Sequence, residues 1–245
     1  MALILAVDTS ATPVSCALLQ DERVLASYYS HSGQTHSQTL MPMIEHALYL
    51  SGVTVAQLDA LAVNVGPGSF TGVRIGVSTV KGLAFADDIP CVAVSTLESM
   101  AEPLRFLPME ALVCCVMDAR CQQVYTASFL LNAEGTLTRQ TADEAISVEE
   151  LKNRLKNVEK SVVMVGDGAK MCYTMLKATI PSLTMAPPSL QFQSAVGTAL
   201  VARRKLAQGE TVSAAALMPA YLRLPQAERE MRVRQAAGSA AQTTQ

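Results

Sequence analysis

The chain has 245 residues, half of them hydrophobic and 16% charged, which predicts a substantial buried core and excludes wholesale disorder. A net charge of −2 argues against an extended nucleic-acid surface, because a protein that holds RNA by itself clusters Lys and Arg on the phosphates. The densest basic run, Arg203-Arg204-Lys205, reads as the solvated face near a helix end.

Along the chain, an apolar run at 3–7 ends in Asp8-Thr9-Ser10, and two further runs at 14–19 and 24–29 follow, parted by Asp21-Glu22. Three short strands joined by tight turns are predicted. The first run has no basic residue ahead of it and is cut short by Asp8, so it reads as a strand and not a signal peptide. A helix follows, with Leu40, Ile44, Ala47 and Leu48 at helical spacing, opened by Thr35-His36-Ser37-Gln38 as a capping box. A strand at 58–65, a helix at about 71–86, a strand at 91–94 and a short helix complete the unit.

The same order then returns. A run at 112–117 ends in Asp118 as the first ends in Asp8, a second strand spans 124–131, and Asn132-Ala133-Glu134-Gly135 turns into a third. Ser147-Val148-Glu149-Glu150 is a second capping box, and a strand at 162–165 leads through Gly166-Asp167-Gly168 into helices reaching about Gly209. The fold class is α/β, with two duplicated βββαβαβα lobes of the actin, sugar-kinase and Hsp70 (ASKHA) type facing a cleft. The lobes are placed at 1–105 and 106–210, with a return segment at 211–225 and a mobile tail at 226–245. The uncharged span 178–202 holds Pro181, Pro187 and Pro188 among polar residues, so it is not predicted to cross a membrane.

Two readings of the chemistry remain open at this point. Asp8 and Asp118 either face a nucleotide and its metal in the cleft or simply begin turns. The segment Gly66-Pro67-Gly68-Ser69-Phe70-Thr71-Gly72-Val73-Arg74-Ile75-Gly76 opens a helix, where an anion is favoured. Yet it lacks the P-loop ending and the dinucleotide spacing, and Gly72 and Gly76 on one helix face equally suit close backbone packing. The histidines His31, His36 and His46 lack the i, i+4 spacing of a helical metal pair. The six cysteines form no CxxC pair, and several lie in apolar runs, where Cys behaves as a small hydrophobe. No catalytic, cofactor-binding or metal residue is assigned.

The glycine segment, the opening LAVDTS, THSQTLMPMI, MDARCQQVY, GDGA and the late PAYLR occur in one order, and together they resemble the bacterial TsaB (YeaZ-like) family over residues 3 to about 224. The resemblance implies kinship with TsaD, which transfers a threonylcarbamoyl group from its adenylate to the exocyclic amine of the adenosine beside the anticodon in tRNA. TsaD carries two metal-binding histidines in a Val-Asn-His-Leu-Glu-Gly-His-type stretch, where this chain reads Val94-Ser95-Thr96-Leu97-Glu98-Ser99-Met100. Thr96 and Met100 replace the imidazoles, and neither suits a hard or borderline divalent ion. Glu98 remains, but Ser95-x-x-Glu98 is itself a capping box.

The resemblance therefore implies a non-catalytic subunit. It is expected in the cytoplasm, dimerising with itself and, competitively, with a TsaD-type subunit through the first two long helices. A TsaE-type ATPase joins them, and tRNA is contacted only indirectly. The isolated chain is expected to bind no cofactor, while the assembled complex uses ATP and threonylcarbamoyl-adenylate. The candidate interface is Leu40, Met41, Ile44 and Leu48 on the first helix with Gly72, Val73, Gly76, Val77 and Val80 on the second, read as a stripe more apolar than one sheet face needs. On that reading, Ile44→Glu or Gly76→Arg breaks association and leaves the monomer folded. The alternatives are an ATP-dependent phosphotransferase of the same superfold and, last, a zinc endopeptidase.

Overall fold

The first three apolar runs form β1 (Leu3–Asp8), β2 (Val14–Gln20) and β3 (Arg23–Ser30), an antiparallel meander. Residues 2–223 are described by the computed structural model; the tail expected at 226–245 lies outside them. Helix α1 (His36–Ser51) leads to β4 (Ala60–Gly66), α2 (Phe70–Phe85), β5 (Cys91–Ser95) and α3 (Thr96–Ala101). Both β4 and β5 join in parallel, giving the strand order β3-β2-β1-β4-β5. The inner strands β1 and β4 are almost wholly apolar because both faces of the sheet are covered.

The second copy repeats this plan. It contains β6 (Ala111–Asp118), β7 (Gln123–Leu131), β8 (Leu137–Arg139), β9 (Glu144–Ser147), α4 (Val148–Leu155), β10 (Val162–Val165), α5 (Ala169–Leu176), β11 (Leu183–Met185) and α6 (Ala195–Ala207). Its sheet order is β11-β10-β6-β7-β8, which read backwards is the order of the first sheet. One difference is that the single third strand expected here is split. β8 and β9 both pair with β7, parted by the stretch 140–143.

The last helix of each copy crosses to the other lobe. Leu97, Met100 and Ala101 of α3 pack with Val113, Cys115, Met117 and Phe129 of the second sheet. Ala195, Ala199, Val201 and Ala202 of α6 cover Ile4, Ala6, Ala62 and Val94 of the first. A division at 105 and at 210 therefore follows the order of the chain but not its packing. The return segment lies on the first lobe, where Val212 bridges Cys91 and the Ala220 N–H donates to Val65 O at 2.8 Å.

Helix starts agree with the sequence in two cases of three. The Ser147 and Ser95 hydroxyls accept from the N–H groups of Glu150 and Glu98 at 3.0 and 3.3 Å, although neither glutamate reaches back to close the box. At α1 the expected box is not made. The Thr35 hydroxyl donates to Gln38 Oε1 at 2.6 Å, which turns it away from the helix N–H groups.

The glycine segment is a packing device. A Cβ at Gly68, Gly72 or Gly76 would stand 2.3 Å from Ser10 O, 2.1 Å from Thr9 O and 2.5 Å from Thr9 Oγ1 respectively. Helix α2 thus rests with bare backbone on the β1–β2 turn, and the Thr9 hydroxyl donates to Gly72 O at 2.7 Å. Gly72→Ala is expected to destabilise the chain by about 1–3 kcal/mol through overpacking. Gly82→Ala, on the exposed side of the same helix with open space around it, should stabilise by about 0.5–1 kcal/mol. Urea unfolding of the two variants checks both signs, and equal effects would rule out the packing account.

Candidate functional site

A cleft of about 620 Å³ opens between the lobes. One wall is the N-terminus of α2 (Gly68–Thr71) with Ser10 and His36; the other holds Asp118, Tyr125 and Asp167. The end of β1 is seated by the Ser69 N–H, which donates to Ser10 O at 2.7 Å.

The two aspartates that end the leading strands begin turns in the same way. Asp8 Oδ1 accepts from the Ser10 N–H at 2.8 Å and from its hydroxyl at 2.6 Å, and Asp118 Oδ1 accepts from the Arg120 N–H at 2.7 Å. Such contacts to residue i+2 are what an aspartate makes in a turn. Their surroundings then part. Asp8 is 1% exposed, and burial raises its carboxyl above the ordinary range. Asp118 is exposed and lines the cleft. They do not form a matched pair presented to one ligand.

Asp167, noted in the sequence only as part of a turn, is the more informative carboxylate. Burial, together with the neighbouring Asp118 charge, pushes its pKa up to about 6. Its other neighbour is Gln193, whose Nε2 stands 3.5 Å from Asp167 Oδ1.

A second cluster the sequence reading passed over lies at the cleft mouth. The Arg74 guanidinium sits 3.9 Å above the Phe70 ring, and its Nε donates to the Tyr221 hydroxyl at 2.8 Å. Phe70 and Tyr221 stack with centroids 4.9 Å apart. The signal was present as an aromatic and an arginine at i, i+4, but the ring that completes the cluster comes from the distant PAYLR motif.

The positions matching the transferase histidines lie inside the protein. Thr96 and Met100 are buried, and a Cβ on Gly166 would stand 3.1 Å from Met100 Sδ. Glu98 is held by Arg139 at 3.4 Å and by Arg204. The histidines are apart from one another. His36 Nε2 donates to Ala11 O at 2.7 Å, His31 meets the edge of Phe192, and His46 lies against Tyr28. Among the described residues, no group of three or more His, Cys, Asp or Glu could hold a metal ion, and no helix is long and apolar enough to cross a membrane. Five cysteines are buried, and burial pushes the Cys16 and Cys114 thiols up to about 12; Cys121 is exposed.

Of the nine candidate interface residues, eight face inward. Leu40, Ile44, Leu48, Val73, Val77 and Val80 belong to the core cluster between the two helices and the first sheet, and Gly72 and Gly76 lie on Thr9. Only Met41 is partly open. Ile44→Glu would bury a charge and Gly76→Arg would collide with Thr9, so neither leaves the monomer intact, contrary to the expectation from sequence. The outward side of the pair forms a shallow groove of about 470 Å³ lined by Ser37, Phe70, Thr71, Arg74, Ile75, Ser78 and Thr79. Beyond its far end, Tyr49 and Phe85 are 79% and 84% exposed. The helical period was read correctly, but it could not say which side met the sheet and which met solvent.

Residues 28–231 match the family model for TsaD, tRNA N6-adenosine threonylcarbamoyltransferase. The tRNA threonylcarbamoyladenosine biosynthesis protein TsaB of Escherichia coli K12 is 31% identical over 220 residues, covering 90% of this chain and 94% of that protein. YeaZ from Pseudomonas aeruginosa superposes with a TM-score of 0.75 at 30% identity, covering 91% of this chain and all of that one. The ethanolamine utilization protein EutJ from Carboxydothermus hydrogenoformans shares the fold alone, with a TM-score of 0.51 at 11% identity over 82% of this chain and 90% of that one. The chain has the ASKHA fold and belongs to the TsaB family of tRNA threonylcarbamoyladenosine biosynthesis proteins, within the wider TsaD-related group.

Proposed function

We propose that this chain is a non-catalytic subunit in threonylcarbamoyl modification of tRNA, needed by a TsaD-type transferase and working with a TsaE-type ATPase. The observation that carries this reading is the state of the two positions where the transferase has its histidines. Thr96 is a buried hydroxyl and Met100 is a core side chain, while the intervening Glu98 is engaged by two guanidinium groups. Thioether and hydroxyl are poor ligands for a hard or borderline cation, so the transferase's metal chemistry has no seat there.

The partner surface follows from the same helices with the face reversed. The outward side of α1 and α2 offers Met41 and Ile75 beside small residues, Ser78, Thr79 and Gly82, that let another helix pair approach. A second copy of the chain and the transferase subunit are proposed to compete for this face. Supporting it is the lack of any element of the described chain over the groove, although each helix has its inner face fully packed.

Ser78→Arg is expected to abolish self-association and transferase binding while leaving thermal unfolding unchanged, because Ser78 is exposed in the monomer. Analytical ultracentrifugation and pull-down read the effect, and a folded variant that still pairs normally places the interface elsewhere. The functional test is a reconstitution with TsaD, TsaE, tRNA, ATP and threonylcarbamoyl-adenylate, omitting one component at a time. Modified adenosine should require this chain and should not form when TsaD is left out. Transfer by the chain alone would overturn the reading.

A further inference from the structure

Three of the sequence motifs meet at the mouth of the cleft: the glycine segment, the β6–β7 turn of MDARCQQVY and the late PAYLR. The proposed partner role does not account for the contacts between them. Ala220 lies on the first lobe, where its N–H donates to Val65 O at 2.8 Å. A Cβ on Gly66 would stand 2.5 Å from Ala220 O, and the φ of +124° at Gly66 favours glycine in any case. One residue on, the Tyr221 ring stacks on Phe70, and its hydroxyl accepts from Arg74 Nε at 2.8 Å. Arg223 then reaches the other lobe, its Nη1 donating to Ala119 O at 3.0 Å.

The two ends of this short strap are held differently. At the first lobe, a backbone hydrogen bond, an aromatic stack and the Arg74 guanidinium over the Phe70 ring act together. At the second lobe, the hydrogen bond comes from a single flexible side chain. Rotation of Arg223 therefore frees the second lobe without disturbing the seat of Ala220 and Tyr221. Between its ends the strap covers part of the cleft, since Ala220, Tyr221, Leu222 and Arg223 all line it. Phe70 and Arg74, which hold Tyr221, also line the outward groove between α1 and α2. Two side chains thus serve the strap and the groove at once.

We propose that residues 220–223 latch the two lobes across the cleft mouth through Arg223, and that a partner seated in the groove tightens this latch. The second clause rests on the groove being the partner face. Tyr221 fixes Arg74 over Phe70 in one arrangement, so a partner that packs on those two side chains meets them already ordered. Ordering them in advance removes part of the entropy cost of binding. Linkage then works in both directions. A partner that favours the ordered arrangement favours the closed strap, and a loosened strap weakens the partner's hold. The two states are distinct. With Arg223 on Ala119 O the cleft mouth is spanned; with its guanidinium in water the strap stands clear of the second-lobe wall.

The chain contains no Trp, so Leu222→Trp in the full chain places a single fluorescent reporter on the strap. Adding Arg223→Ala should shift its emission to the red and raise its quenching by acrylamide, with circular dichroism unchanged. Raising the protein concentration to drive self-association should lower the quenching while Arg223 is present. Without the reporter, Arg223→Ala should weaken self-association about five- to tenfold by sedimentation, although Arg223 does not line the groove. Ser78→Arg separates the two readings, because it blocks the groove and leaves the strap alone. In that monomer, Arg223→Ala should still raise the quenching. Quenching indifferent to Arg223→Ala overturns the latch. Self-association indifferent to Arg223→Ala, in a chain that Ser78→Arg does dissociate, overturns the coupling. If Ser78→Arg leaves pairing intact, the groove reading falls, the coupling falls with it, and the quenching comparison decides the latch alone.

Discussion

The close seat of α2 on the β1–β2 turn sets the position of nearly everything that follows it. Three glycines at 68, 72 and 76 remove the side chains that would hold the helix away from Thr9 and Ser10. With the backbone that close, the α2 N-terminus becomes the wall of the cleft, and Val73, Val77 and Val80 reach the first sheet. A shift of α2 outward by one methyl group would open the core and move the wall together. Packing density, more than any bound anion, accounts for the glycine spacing.

The exchange of α3 and α6 explains how two similar lobes become one body. Each lobe's inner sheet face is covered by a helix that the other copy contributes, so neither sheet can bury both faces without the other lobe. The charged side chains at this junction reinforce the exchange. Glu102 is nearly buried and holds Arg105 at 2.8 Å and Arg204 at 3.1 Å, while Glu98 links Arg204 to Arg139 of β8. Exposed pairs of this kind contribute little. Glu102 is different, since loss of its partners would strand a buried charge at about 3–5 kcal/mol. The junction is therefore specific as well as apolar.

Much of this architecture was legible in the sequence, because it rests on periods and punctuation. The repeated strand order, the two aspartates at strand ends and the serine caps of α3 and α4 are local signals, and the structure carries each of them. What could not be read depended on which sheet a helix meets. The exchange of α3 and α6 leaves no trace in either helix's own pattern. The same limit applies to the candidate interface residues: Leu40, Ile44 and Leu48 mark one apolar face, and in the monomer that face packs on the first sheet. The Thr35 cap failed for a smaller reason, competition from the Gln38 amide. Asp167 and Gln193 lie 26 residues apart, and nothing in either neighbourhood announces the other.

The buried Met100 shows how a side chain that suits no hard metal ion fills this position of the fold. In this chain Met100 packs with Leu97, Cys115, Met117 and Val165, its sulfur close to Gly166. A thioether is unbranched and adaptable, and it fills such a space without asking for a hydrogen bond. An imidazole in the same space would need a partner for each ring nitrogen, and a metal ion normally satisfies one of them. Without the metal, the histidine would be a buried polar group with an unmet bond, and methionine removes that penalty. At this position the side chain that cannot serve as a metal ligand is also the one that packs without an unmet hydrogen bond.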